Sequence, residues 1–186
     1  MKTLLFIALM TSSFAYAQTT LVEAAKERLK HFVVYDGAYH SIAYPNGDVD
    51  KNRGVCSDVV IRSYRTVGKD LQQLVHEDMK VNFDTYPKIW GLKKPDSNID
   101  HRRVPNLETF FKRHGKTLII SNNSKDYQPG DIVSWRLDNN LPHIGIVSDE
   151  PSESNPKRYK IIHNIGLGPQ LNDMLFDFKI VGHYRY

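Results

Sequence analysis

The sequence contains a single cysteine, Cys56, and this scarcity restricts the chemistry that a thiol can perform here. One cysteine cannot form a disulfide within the chain, so no disulfide framework stabilises the fold. The sequence also lacks C-x-x-C and H-E-x-x-H patterns, so the common zinc-binding motifs are absent. Cys56 is therefore either a small buried residue or a reactive thiol.

Long apolar segments are scarce as well. The most apolar segment, "LLFIALM", follows Lys2 and precedes "AYA", and it is well short of the roughly 20 residues that cross a bilayer. A basic start, an apolar centre and a small-residue site predict a secretory signal peptide over residues 1–17, cleaved after Ala17. We therefore expect a periplasmic or secreted protein without stable membrane insertion.

The chain has no block of basic residues interleaved with aromatic residues, and its net charge is only +4. These features argue against a nucleic-acid partner and fit an anionic cell envelope. The 186 residues suggest one domain, which we place at residues 18–186, and we expect a monomer. In an exported chain, an unpaired cysteine is unusual, which favours a reactive thiol.

Hydrophobic periodicity divides the chain into two halves. Apolar residues recur at helical spacing in the first half, whereas runs in the second half alternate with period two. The predicted helices lie in "TTLVEAAKERLKHFVVYDG", "VCSDVVIRSYRTVG", "DLQQLVHEDMKVNF" and "NLETFFKRHG", and the predicted strands in "KTLIIS", "DIVSW", "HIGIVSD", "RYKIIHNIG" and "FKIVGHYRY". This order predicts an α+β fold, in which N-terminal helices pack on an antiparallel sheet of about five strands.

Cys56 lies at the start of the second predicted helix, where unpaired N–H groups and the helix dipole favour a thiolate. His143 and His163 lie on neighbouring predicted strands, which can place both side chains on one face. The three residues could act as nucleophile, general base and orienter of the base. Asn164 is the alternative third residue, because consecutive strand residues face opposite sides of a sheet.

Four motifs in order resemble those of the NlpC-type cell-wall cysteine peptidases, which have a papain-like fold. The stretch "GVCSDVV" resembles their cysteine–helix motif "DCSG", "QPGDIVSW" their strand "PGDLVFF", and "PHIGIV" their histidine strand "HVGIY". The stretch "YKIIHN" falls where that family keeps its third polar residue. The resemblance covers roughly Tyr44 to Asn164 and is closest to a bacterial domain family of unknown function in the same superfamily.

This resemblance implies an exported thiol hydrolase. Cys56, His143 and His163, or Asn164 in place of His163, would cleave an amide bond through an acyl-enzyme, with peptidoglycan stem peptides as the expected substrate. Alternatives are an acyltransferase or a lipid or ester hydrolase on the same fold. From another class, the alternative is a non-catalytic module that binds the envelope.

The sequence departs from the family motif at two places, because Val55 replaces its aspartate and Asp58 replaces its glycine. The resemblance also implies a tyrosine that helps to stabilise the oxyanion. Tyr44 is the first choice for it and Tyr35 the second, while Ser57 is another candidate donor. Asp58 is well placed for the helix dipole.

A charged stretch, "NIDHRR", is either a solvated turn or a substrate-binding loop. In the second case Arg102 or Arg103 would bind a substrate carboxylate, since a guanidinium group matches a carboxylate well. His183 is expected to be structural.

Metal sites have weak support. The stretch "DVDKNRG" begins like a calcium loop, but Val59 stands where a glutamate is required. Zinc held by His143, His163 and a third ligand is a further alternative. We expect no metal ion and no other cofactor.

Overall fold

The computed structural model of the protein describes residues 20–186. The predicted signal peptide therefore lies outside the described residues. The described part is an α+β structure in which helices pack against a six-stranded antiparallel sheet, as the periodicity predicts. Its four α-helices are α1 (Leu21–Arg28), α2 (Cys56–Thr66), α3 (Leu71–Asn82) and α4 (Val104–His114).

The strands form two sheets of different size. In the smaller sheet, β1 (Val34–Tyr35) pairs in parallel with β2 (Arg53–Gly54) directly before α2. The larger sheet contains β3 (Lys116–Thr117), β4 (Ile132–Arg136), β5 (Pro142–Pro151), β6 (Tyr159–His163), β7 (Gln170–Asn172) and β8 (Lys179–Arg185). Its order is β3-β8-β4-β5-β6-β7, so β5 lies between β4 and β6 near the middle.

Three details differ from the sequence prediction. The large sheet has six strands instead of about five, because β7 is three residues long and shows no apolar alternation. The pair β1–β2 was not expected, since two-residue strands carry no periodic signal. Helix α1 ends at Arg28, several residues before the predicted stop at Asp36 and Gly37, because the β-branched Val34 pairs with β2 instead.

Both faces of the large sheet are buried, which explains the nearly continuous apolar runs in its central strands. The helices cover one face, where Ile144 and Ile146 of β5 pack in the same core as Cys56, Val60 and Phe111. Residues 174–180 cover much of the other face, together with Tyr127. The residues buried there include Val133, Trp135, Val147, Ile161 and Leu175.

Gly145 lies where β5 and β6 approach each other closely. A Cβ atom at this position would lie 2.7 Å from Cγ2 of Ile161, 3.0 Å from the carbonyl oxygen of Ile162 and 3.2 Å from Cβ of His163. Two of these three neighbours belong to backbone or to a rigid β-branched side chain. Glycine at position 145 therefore permits the close pairing of β5 with β6.

We predict that Gly145→Ala lowers the free energy of unfolding by about 1–3 kcal/mol, because the added methyl group overpacks the β5–β6 contact. Urea denaturation measures this change. Gly37→Ala is the matched control, since its Cβ would meet only Cγ1 of Val55, at 3.7 Å. An equally stable Gly145→Ala protein would contradict this packing.

Candidate active site

Cys56 is the first residue of α2, and β2 ends two residues before it at Gly54. Gly54 in β2 has a φ of 158°, and a Cβ atom there would lie 3.1 Å from the Asp58 carboxylate. Glycine thus permits the sharp entry into the helix. The Cys56 side chain is 4% exposed and lies at the wall of an open cleft.

Four groups surround the sulfur atom of Cys56. The backbone N–H groups of Cys56, Ser57 and Ile144 lie close enough to lower the pKa of the thiol, and the thiol in turn raises the pKa of the nearby Tyr35 hydroxyl. Tyr35 is held in place by β1, which pairs it with Gly54. Polar groups of α2, β1 and β5 therefore lie near the sulfur.

Cys56 lies in the same core as Ile144, the residue that follows His143 in β5. In β5, the N–H of Val147 points to the β4 side, where it donates to the carbonyl of Asp131 at 2.9 Å. Because strand N–H groups alternate in direction, the N–H of Ile144 points to the β6 side. Strand β6 ends at His163, so no residue of β6 pairs with Ile144. Because side chains alternate along a strand, His143 projects to the face opposite Ile144, where its ring packs beside Trp135.

His143 belongs to a buried chain of hydrogen bonds. Its Nε2 lies 3.0 Å from Nδ1 of His163, and Nε2 of His163 lies 2.9 Å from Oδ1 of Asn172. Trp135 packs on the His143 ring, with centroids 5.9 Å apart. The predicted meeting of His143 and His163 on one face is thus confirmed.

The direction of this chain follows from Asn172. Its Oδ1 can only accept, so Nε2 of His163 carries a proton and Nδ1 of neutral His163 accepts. Nε2 of His143 must then be the donor, which leaves Nδ1 of His143 with a free lone pair. The chain of hydrogen bonds therefore fixes the tautomer in which His143 can act as a base.

Both reacting groups are uncharged in this structure. Burial raises the pKa of the Cys56 thiol to about 11, and the nearby charge of Asp58 acts in the same direction, against the three N–H donors. Burial, followed by the charge of His163, lowers the pKa of His143 to about 3. The expected lowering of the thiol pKa by the helix start is therefore wrong, because burial outweighs the N–H groups.

Asp58 and Arg102 form a buried ion pair beside Cys56. Arg102 donates from Nε and Nη2 to the two carboxylate oxygens of Asp58, both at 3.0 Å, and the two side chains are only 3% and 2% exposed. Arg102 also donates to the carbonyl oxygens of Asp36 and Ala38 at 2.9 and 3.1 Å. Asp58 accepts from the N–H of Val55 at 2.7 Å, which caps α2. Both residues are structural here, so Arg102 is not free to bind a substrate carboxylate.

Two other predicted residues do not face the sulfur as expected. Tyr44 packs against His76 of α3, with ring centroids 5.0 Å apart, and Tyr35 takes the position next to Cys56. The Ser57 hydroxyl is fully buried and donates to the carbonyl oxygen of Arg102 at 2.7 Å. Only the backbone N–H of Ser57 points to the sulfur. Asn164 accepts from the N–H of Gly166 at 3.0 Å and makes no hydrogen bond with His143.

The cleft at Cys56 has a volume of about 430 Å³. Its walls include Tyr35 and Tyr39 on one side and Trp90 and Arg103 on another. The Arg103 guanidinium lies 4.2 Å from the Trp90 ring centre and 3.1 Å from the Asp100 carboxylate. At Pro105 and Pro142 the cleft meets a second open groove of about 510 Å³. A chain-like substrate could therefore extend past Cys56 on both sides.

Other chemistry receives no support from the described residues. Within residues 20–186, no three His, Cys, Asp or Glu side chains are grouped so that they could hold a metal ion. None of the helices there is long and apolar enough to cross a membrane.

His183 is fully buried and hydrogen-bonded to Asp131 at 2.9 Å and to the carbonyl oxygen of Ile119 at 2.8 Å, which is the structural role expected for it.

Sequence similarity now identifies the family. Residues 22–186 match the family model described as "Domain of unknown function (DUF1287)". The chain belongs to this family. It is also 56% identical over 172 residues to a protein from Escherichia coli (strain K12) described as "Uncharacterized protein YijF". This match covers 92% of this chain and 83% of that protein. Neither description assigns an activity, so the function of this DUF1287 protein has to be argued from its site.

From the raised pKa of the Cys56 thiol we predict how the rate of its alkylation depends on pH. Because only the thiolate reacts, the rate of Cys56 alkylation by iodoacetamide should rise about tenfold per pH unit between pH 7 and pH 10. Mass spectrometry of the protein at timed intervals measures this rate, with free cysteine as the control that levels off near its own pKa of about 8.5. A plateau at or below pH 8 for Cys56 would contradict the structure.

From the buried Asp58–Arg102 ion pair we predict how its loss changes the free energy of unfolding. Arg102→Gln leaves the Asp58 carboxylate buried and unpaired, so it should lower the free energy of unfolding by about 3–5 kcal/mol. Adding Asp58→Asn should restore part of this loss, since it removes the unpaired charge. Urea denaturation measures both, and Lys125→Gln at an exposed position serves as the control. A loss below about 1 kcal/mol for Arg102→Gln would mean that the pair does not support the site.

Proposed function

We propose that this DUF1287 protein is an exported thiol hydrolase with a papain-like fold, which cleaves an amide bond in peptidoglycan stem peptides. The observation that carries the proposal is the hydrogen-bonded chain from Asn172 through His163 to His143, on the strand whose Ile144 shares a core with Cys56 at the start of α2. Nucleophile, base and orienter are the components that acyl transfer requires. An open cleft at the same cysteine gives a substrate access to it.

The first step uses the neutral pair. As the sulfur of Cys56 attacks the amide carbon, Nδ1 of His143 takes the thiol proton, and the new positive charge is stabilised through His163. The carbonyl oxygen becomes an oxyanion, which the Cys56 N–H and the Tyr35 hydroxyl can stabilise. His143 then gives its proton to the leaving amine, and a thioester remains on Cys56.

Water completes the reaction. His143 removes a proton from a water molecule, which attacks the thioester carbon, and the sulfur leaves and regains its proton from His143. A buried thiol and a buried imidazole cost less free energy when both are uncharged. In this mechanism charge develops on them only when the substrate is bound. An amine in place of water would give acyl transfer, and an ester in place of the amide would give ester cleavage, by the same residues.

Peptidoglycan is the substrate class that the cleft supports best. Its stem peptides carry carboxylates, and Arg103 at the cleft wall donates to Asp100 from Nη1 alone, which leaves Nε and Nη2 for a substrate carboxylate. Trp90 and Tyr39 supply flat surfaces beside Arg103 for packing of an extended chain. The predicted signal peptide would bring the enzyme to this substrate in the periplasm or outside the cell.

Digestion of purified peptidoglycan tests the proposal. We expect wild type to release stem-peptide fragments that mass spectrometry identifies, and Cys56→Ala and His143→Ala to release none. His163→Ala should slow release by roughly a hundredfold, because it leaves His143 unoriented. His31→Ala, at an exposed histidine outside the cleft, is the matched control and should retain full activity.

The outcomes separate the candidate functions. Absence of fragments with wild type would overturn the wall-hydrolase proposal. Retention of wall binding by both wild type and Cys56→Ala, without fragments, would favour an envelope-binding module. Equal release by wild type and Cys56→Ala would show that the thiol is not the nucleophile.

A further inference from the structure

A second concave region lies outside the Cys56 cleft and is strongly basic. This region, the basic pocket, is formed between α1, the loop before β2 and α2, and has a volume of about 270 Å³. The residues that line it are Arg28, His31, Asp48, Lys51, Arg62, Arg65 and Thr66. The proposed hydrolase mechanism uses none of them.

The charges in the basic pocket do not balance. Arg62 and Arg65 bind Asp48 at 2.9 and 3.1 Å, and Arg65 also lies 3.6 Å from Asp70. Arg28 and Lys51 make no side-chain hydrogen bond or ion pair with any of residues 20–186. Four cationic side chains therefore face two carboxylates, which leaves an excess of two positive charges.

Donors in the basic pocket also lack acceptors. Nε of Arg28 and Nε of Arg65 are both buried, and neither finds a hydrogen-bond partner within the described chain. Burial and then the charge of Arg62 lower the pKa of Arg28, while Glu27 and Asp48 act in the opposite direction. Buried donors and crowded like charges are costly unless an acceptor with negative charge completes the site.

We propose that the basic pocket binds a phosphate group. A phosphate monoester carries close to two negative charges at neutral pH, which matches the excess in the pocket. Its oxygens accept paired hydrogen bonds from guanidinium groups such as that of Arg28. A free phosphate ester and a lipid headgroup share this chemistry, so either could be the source.

The location gives a bound phosphate a connection to the nucleophile segment. Arg62 donates from Nη2 to the carbonyl oxygen of Arg53 at 2.9 Å, and Arg53 begins β2, which leads directly into α2. The basic pocket and the Cys56 cleft are separate, since they share no lining residue. Phosphate would therefore bind without occupying the cleft, independently of the hydrolase proposal.

Binding of inorganic phosphate to the full mature protein tests this site. Isothermal titration at constant ionic strength should show saturable binding to wild type. Arg28→Gln/Lys51→Gln should weaken it by about tenfold or more, because each lost charge-assisted hydrogen bond is worth roughly 1.5–3 kcal/mol and 1.4 kcal/mol is tenfold. Both side chains lack partners in the fold, so the variant should remain folded, which circular dichroism checks.

A control with matched net charge completes the experiment. Lys125→Gln/Lys157→Gln removes two exposed positive charges outside the basic pocket and should leave phosphate affinity unchanged. Sedimentation with vesicles that contain phosphatidic acid, whose headgroup is a phosphate monoester, compared with phosphatidylcholine vesicles, identifies a lipid source if binding depends on the same two residues. Binding of inorganic phosphate alone identifies a soluble phosphate ester. Absence of saturable phosphate binding, or equal weakening by both double variants, would overturn the proposal.

Discussion

The buried ion pair between Asp58 and Arg102 is the interaction on which the candidate site depends. Asp58 caps α2 and so fixes the position of Cys56, while Arg102 holds the carbonyl groups of residues 36 and 38, next to Tyr35. Arg102 also precedes Arg103 at the cleft wall. Three segments far apart in sequence thus meet at one pair of charges, and each contributes a wall of the cleft.

The second constraint is the order of hydrogen bonds that begins at Asn172. An amide oxygen at one end fixes the tautomers of His163 and then of His143, so the ring nitrogen left free is the one that can accept a proton. Burial keeps this base and the Cys56 thiol uncharged at rest. In the proposed mechanism the proton therefore moves during the reaction, and the resting pair is not a thiolate and an imidazolium.

Local signals in the sequence were sufficient to predict part of this arrangement. A helix start marks Cys56, and period-two runs place His143 and His163 on adjacent strands. The rest depends on contacts between distant segments. Tyr35 rather than Tyr44 reaches the sulfur because β1 pairs with β2, and Asn172 lies on a three-residue strand without a pattern. The thiol pKa was predicted in the wrong direction, because burial of Cys56 is a property of the whole fold and not of the helix start.

The central claim is that Cys56 forms a covalent acyl-enzyme with the help of His143. Intact-mass spectrometry of the protein, quenched with acid during turnover of purified stem peptides, tests it most directly. The account predicts a transient mass increase equal to the acyl fragment, located on the peptide that contains Cys56 and absent from Cys56→Ala. Cleavage of the substrate by wild type with no adduct at any time, or an adduct on another residue, would contradict it.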